Sequence, residues 1–247
     1  MLWAVAEMTV TVGLVVLLLV VHQVWWTNRQ AVAAARDRVE ALESEWGGPP
    51  RPVPVPAPAA DEVPVPESPG PGPGPGDVPV VEESGAVSTP SRKPPAGGAP
   101  ARQDAYAVLR IPRLGLVVPV AQGVDKRAVL DKGYAGQYPG TAQPGARGNF
   151  ALAGHRNTHG EPFRYINRLR AGDEIFVDVR GRRYVYVVGK VLSETTERDT
   201  GVIAPVPRSV VKPDYGYGEP GAYITLTTCT PEYSSKYRLV VWGKLKE

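Results

Sequence analysis

Cys229 is the single cysteine of the chain, and it closes an apolar, β-branched run, Tyr223-Ile-Thr-Leu-Thr-Thr-Cys229. Arg238 lies nine residues further on, inside a second run of the same texture, Lys236-Tyr-Arg-Leu-Val-Val-Trp242. A strand ending on a thiol beside a strand carrying a guanidinium is suited to making and using a thiolate. Such a nucleophile needs a proton-transfer partner. Of the three histidines, His22 falls in an N-terminal apolar segment, which leaves His155 and His159. His155 follows the strand-like run Asn149-Phe-Ala-Leu-Ala-Gly154, so it too sits at a strand end, where side chains of neighbouring strands converge. His159, beside Gly160, reads as a turn residue and as the rival acid/base. The histidine pair has no third ligand in its neighbourhood of the sequence, so no metal and no cofactor are expected.

The strands that must carry these residues are legible from residue 105 onward. Ala105–Ile111 and Leu116–Val120 flank a Pro112-Arg-Leu-Gly115 turn, and residues 127–132 read as a short helix closed by Gly133. Phe150–Ala153 follows. Pro162–Leu169 shows helical spacing at Phe163, Ile166 and Leu169, with proline at its start. Glu174–Val179 and Tyr184–Leu192 form a hairpin around Arg180-Gly-Arg182, and two last strands cover 223–228 and 237–245. About eight short strands in this span predict an all-β sandwich or closed barrel. The long segment 193–221, rich in proline and tyrosine, reads as a functional loop, with Asp199, Asp214 and Glu219 as solvated charges.

The string TLTTC followed by Pro231 and Arg238, with AGHRNTHGEPF upstream, resembles the sortase family of cysteine transpeptidases, most closely the class E sortases of high-GC Gram-positive bacteria. The likeness runs from about Tyr106 to Leu245. It implies an eight-stranded barrel, with Cys229 as nucleophile, His155 as acid/base and Arg238 as stabiliser of the substrate or oxyanion. It also implies groove-lining roles for Arg156, Asn157, Thr158, Thr228 and Thr230, and a substrate groove walled by the 193–221 loop. The implied partners are secreted proteins bearing an LPXTG- or LAXTG-like C-terminal sorting signal and a peptidoglycan-precursor amine acceptor. Two other readings share some of these features. An L,D-transpeptidase would also use a cysteine on cell-wall peptide, but its histidine–glycine motif is missing around Cys229; a non-catalytic wall-binding module would need only the anchor.

The anchor is the apolar run from Thr9 to Trp26, long enough to cross a bilayer and ended by the interfacial pair Trp25-Trp26. Residues 1–27 therefore read as a transmembrane anchor and 28–46 as a juxtamembrane amphipathic helix, with Val32, Ala35, Val39, Leu42 and Trp46 on one stripe. Residues 47–104 read as a disordered Pro/Gly-rich linker and 105–247 as the catalytic domain. Seventeen of the 27 prolines fall between Pro49 and Pro100, a composition that disfavours a packed core and would reach on the order of 160 Å as polyproline II. Arg29, Arg36 and Arg38 follow the anchor, so charge alone favours a cytoplasmic carboxyl side, whereas the resemblance requires an extracellular one; a basic leader ahead of Met1 would reconcile them. A net charge of +3, without a basic stripe interleaved with aromatics, argues against nucleic acid as a partner.

Overall fold

The computed structural model describes residues 2–48, 51–52 and 104–246. The expected linker falls almost wholly outside them. One helix, α1 (Leu2–Glu45), precedes nine strands: β1 (Arg51–Pro52), β2 (Ala105–Ile111), β3 (Leu116–Gln122), β4 (Ala135–Gln137), β5 (Gly148–Ala153), β6 (Glu174–Val179), β7 (Arg182–Thr196), β8 (Ala222–Thr230) and β9 (Tyr237–Leu245). The sheet runs β7-β6-β2-β3-β4-β5-β8-β9 and closes on itself because β9 also pairs with β7. Closure gives the expected eight-stranded barrel and leaves its eight strands without a free edge; β1 adds two residues alongside β7. The β6–β7 hairpin turns at Arg180 and Gly181, both at positive φ, as a two-residue loop between right-twisted strands requires.

Strand alternation fills the barrel. Leu109 and Ile111 of β2, Phe150 and Leu152 of β5, Ile175 and Val177 of β6, Ile224 and Leu226 of β8, and Leu239 and Val241 of β9 all point inward into one buried cluster. Three elements differ from the sequence reading. β4, only three residues long with a glycine in the middle, carries too little β texture to be read from sequence. Pro162–Leu169 forms turns and a single 3-10 turn, Ile166–Arg168, rather than a helix, yet Phe163, Ile166 and Leu169 still reach the core. Residues 127–132 likewise shorten to a 3-10 turn, Leu130–Lys132, which Gly133 ends in the left-handed region.

The larger difference concerns the helix. The anchor and the juxtamembrane segment are one uninterrupted helix of 44 residues, roughly 66 Å long at 1.5 Å per residue. Its first half is apolar and exposed, and the described residues contain this one helix long and apolar enough to cross a membrane. Its second half docks on the barrel. Ala35, Val39 and Leu42 pack with Ala105, Val108, Ala121, Val129 and Tyr134, so the apolar stripe serves an intramolecular face. Polar contacts fix the docking: Asn28 Oδ1 accepts from the Gly160 amide at 2.5 Å, and Arg38 donates to the Ala105 carbonyl at 3.1 Å. Glu43 pairs with Arg110, whose Nε donates to Oδ2 of the buried Asp178 carboxylate at 2.8 Å, and Arg183 donates to both oxygens of that carboxylate at 2.8 and 2.9 Å. A buried carboxylate with two arginines is compensated, so the chain of charges ties helix, β2, β6 and β7 together. Because the helix reaches the barrel directly, the distance between anchor and barrel is not set by the Pro-rich segment.

Leu42, 2% exposed, is the deepest side chain of the helix in this interface. Leu42→Ala is expected to cost about 2 kcal/mol or more, lowering the melting temperature of the full chain in detergent by roughly 4–8 °C. The exposed-site control Glu40→Ala should leave it within about 2 °C.

Candidate active site

β8 lies between β5 and β9, and the two ladders on its flanks determine what meets there. In the antiparallel β8–β9 ladder Cys229 is directly opposite Arg238. In the parallel β5–β8 ladder the last pair is Ala153 with Thr227, and the register carries on through the Gly154 amide, which donates to the Thr227 carbonyl at 3.1 Å. His155 and Cys229 each stand two residues past that last pair. Since Phe150, Leu152, Ile224, Leu226, Leu239 and Val241 face the barrel interior, the two-residue pleat turns His155, Cys229 and Arg238 to the outer face. Opposed residues on one face stand about 4.5–5.5 Å apart at Cβ. Three side chains far apart in sequence thus share one end of one outer wall, and Cys229 is partly exposed there.

Each is held by named contacts. His155 Nε2 lies 2.8 Å from Asp131 Oδ1, and the carboxylate accepts the Nε2 proton, leaving Nδ1 as the nitrogen free for proton exchange. His159 stacks beside it, ring centroids 5.3 Å apart, with Nδ1 3.5 Å from the same oxygen. Gly154, just before His155, packs so close to Phe163 that a Cβ there would lie 2.6 Å from the ring. Arg238 donates to the carbonyls of Ser235 at 2.7 Å and Tyr237 at 3.0 Å, and to Glu197 at 3.3 Å. The Glu197 carboxylate is 62% exposed, so this ion pair is weak and exchangeable for an incoming carbonyl.

The other sequence candidates divide. Arg156 is buried, and its Nη1 donates to the Cys229 carbonyl at 3.1 Å and to the Thr230 hydroxyl at 2.8 Å. It braces the backbone at Cys229. Thr228 is buried as well and gives its hydroxyl to the Gly154 carbonyl at 2.8 Å, locking β8 to the residue preceding His155. Thr158 is exposed, and Asn157 is half-buried with an unpaired Oδ1. Asp199 is not a solvated charge. It is 2% exposed and accepts from Thr195 at 2.6 Å, from the Ser209 hydroxyl and from the Val210 amide at 2.9 Å. These three donors satisfy the buried carboxylate and tie the 193–221 segment to the end of β7. Val202 of that segment packs with Leu192, Val240 and Trp242, and the Trp242 indole donates to the Val202 carbonyl at 3.0 Å, so the segment lies over the outer face that Arg238 shares. Asp131 is the site residue that sequence reasoning missed: it stands 24 positions from His155 in a turn without diagnostic texture.

The sortase-domain profile matches residues 109–246. The chain belongs to the sortase family. It is 39% identical to Sortase SrtE1 of Streptomyces coelicolor across 99% of its own length, and it spans 57% of that relative. Among solved structures, Sortase E1 from Streptomyces coelicolor with a tripeptide in its active site is 49% identical, with a TM-score of 0.56 over 60% of this chain and 92% of that one. Sortase E from Streptomyces avermitilis is 41% identical, with a TM-score of 0.52 over 60% and 91%. The sortase barrel is thus the scaffold that sets Cys229 opposite Arg238, and the likeness to class E members agrees with the motifs around His155 and Cys229.

Arg156→Ala removes the donor to the Cys229 carbonyl and the Thr230 hydroxyl, an expected loss of about 1–3 kcal/mol, or roughly 2–4 °C of melting temperature per kcal/mol. Arg156→Lys, which keeps the charge but not the fork, should recover less than half of it in the same melts.

Proposed function

We propose that this sortase is a membrane-anchored cysteine transpeptidase that cleaves an LPXTG- or LAXTG-like sorting signal between threonine and glycine and transfers the protein to a cell-wall amine. The observation that supports this is the register of β8, which sets Cys229 opposite Arg238 and ends its pairing with β5 two residues before both Cys229 and His155. The Cys229 thiol gives its proton to His155 Nδ1, the thiolate attacks the threonine carbonyl carbon, and the carbonyl electrons move onto oxygen. Arg238, having exchanged Glu197 for the substrate, donates to that oxyanion or to a neighbouring substrate carbonyl. When the tetrahedral adduct collapses, the C–N bond breaks and His155 gives its Nδ1 proton to the departing glycine amine, leaving a thioester on Cys229. The acceptor amine then attacks the thioester, His155 takes its proton, and sulfur leaves as thiolate. Through both halves Asp131 holds the imidazole in one tautomer, as a positioning residue.

Asn157 and Thr158, on the loop that follows His155, and Thr230, beyond the nucleophile, are the candidates for contact with the peptide. Arg156 and Thr228 serve the site by holding the two strand ends. The substrates are secreted proteins with a C-terminal signal, and the acceptor is a peptidoglycan-precursor amine. The apolar half of α1 fits a single-pass anchor, with the barrel on the extracellular side.

Incubation of the enzyme with LPXTG and LAXTG peptides should yield a thioester on Cys229 by mass spectrometry, and none with Cys229→Ala; a wild-type enzyme that never acylates would overturn the reading. Arg238→Lys should lose at least ~10²-fold in turnover, since a point charge cannot replace the planar fork. His155→Ala should be as damaged as Cys229→Ala, while His159→Ala keeps turnover within about tenfold. Asp131→Asn should lower kcat by ~10–10² with little change in KM, as expected of a group that acts through His155.

A further inference from the structure

His159 has no part in the acyl-transfer scheme, yet it is placed with care. Its Nδ1 is buried and has no hydrogen-bond partner among the described residues; its nearest acceptor, Asp131 Oδ1, is 3.5 Å away and outside hydrogen-bond geometry. Its backbone is held at φ 52, and the adjoining Gly160 amide is fastened to Asn28 of the docked helix. An imidazole nitrogen kept buried and unpaired costs free energy unless something occupies it.

What it faces is a ligand set. One ligand atom from each of Asp131, His155 and His159 lies within 4.8 Å of the others. Donor atoms at about 2.0–2.1 Å from a tetrahedral zinc ion stand about 3.3 Å apart. The distances from Asp131 Oδ1, 2.8 Å to His155 Nε2 and 3.5 Å to His159 Nδ1, bracket that spacing. Two imidazoles and one carboxylate with a fourth position left for water suit a borderline divalent ion such as zinc or cobalt and poorly suit calcium or magnesium. All three side chains keep 16–31% of their surface exposed, so an ion has a path in.

We propose that Asp131, His155 and His159 form a facultative site for a divalent transition metal, and that occupation switches the enzyme off. Binding takes the lone pair of His155 Nε2, so the proton that Nε2 shared with Asp131 moves to Nδ1. An imidazole with metal on one nitrogen and a proton on the other has no lone pair left to accept a proton from the acceptor amine. The Asp131 carboxylate is drawn onto the ion at the same time. Metal binding itself does not depend on the proposed function; its inhibitory effect rests on His155 being the acid/base.

Cobalt(II) titration of the full chain in detergent, followed by its visible absorption, tests the site on a Cys229→Ala background, where the nucleophile's sulfur cannot serve as ligand. One equivalent should bind, giving the intense d–d bands of a four- or five-coordinate ion without a sulfur charge-transfer band. His159→Gln on that background should weaken binding at least about tenfold. Loss of binding on Cys229→Ala alone, or binding unchanged by His159→Gln, overturns the site. In the second arm zinc should inhibit peptide cleavage by the wild type, reversibly with a chelator, and at least about tenfold more zinc should be needed for His159→Gln. Cobalt bound with no effect of zinc on cleavage would overturn the inhibitory role and the assignment of His155 while leaving the site itself intact.

Discussion

A slip of one residue between β8 and either neighbour would turn Cys229, or its partner across the ladder, from the outer wall into the barrel interior, because side chains alternate with a period of two. The register of these three strands is therefore the constraint on which the site depends. Several contacts converge on it. Leu226, Leu239 and Leu152 have one packed face to occupy, Thr228 bonds across to the Gly154 carbonyl, and Arg156 grips the Cys229 carbonyl from the end of β5. Closure through β7–β9 removes the freedom of an edge strand from β9. The residues that do chemistry are few, and those that keep the ladder from sliding surround them.

Charged groups away from Cys229, His155 and Arg238 serve the same end. Asp178 and Asp199 are both nearly sealed from solvent, and each is fully compensated, one by two arginines and the other by two hydroxyls and an amide. The first couples the docked helix to the barrel wall, and the second fixes the segment that covers Trp242 and positions Glu197 beside Arg238. By contrast, the Arg238–Glu197 contact is exposed and weak, as suits the partner exchange proposed for this guanidinium.

How much of this was legible in the sequence follows from the range of each interaction. Alternation and turn residues are local signals, so β2, β3, β5, β6, most of β7, β8, β9 and the Arg180-Gly181 turn were readable, and the spaced motifs around His155, Cys229 and Arg238 pointed to the family and to the barrel it implies. Asp131 was not readable, because its contact with His155 is made by strand pairing between β4 and β5 and leaves no periodic trace. Asp199 looked solvated because its neighbours are polar; burial came from the packing of Val202 on Trp242, a tertiary event. The stripe Ala35, Val39, Leu42 was seen, but a stripe does not say what covers it, and here the barrel does. Pro162–Leu169 had helical spacing over too few residues, so core contacts at three positions were satisfied by turns instead.

The Asn28–Gly160 contact lies only two residues beyond Trp26, at the point where the apolar part of α1 ends. In the proposed single-pass topology the docked helix would hold the histidine loop at the height of the lipid headgroups. A protein still held in the bilayer by its own C-terminal tail would meet this site by lateral drift in a plane, a search in two dimensions instead of three. Peptides free in solution forgo that gain, so they would understate how well the enzyme works on a membrane-borne partner.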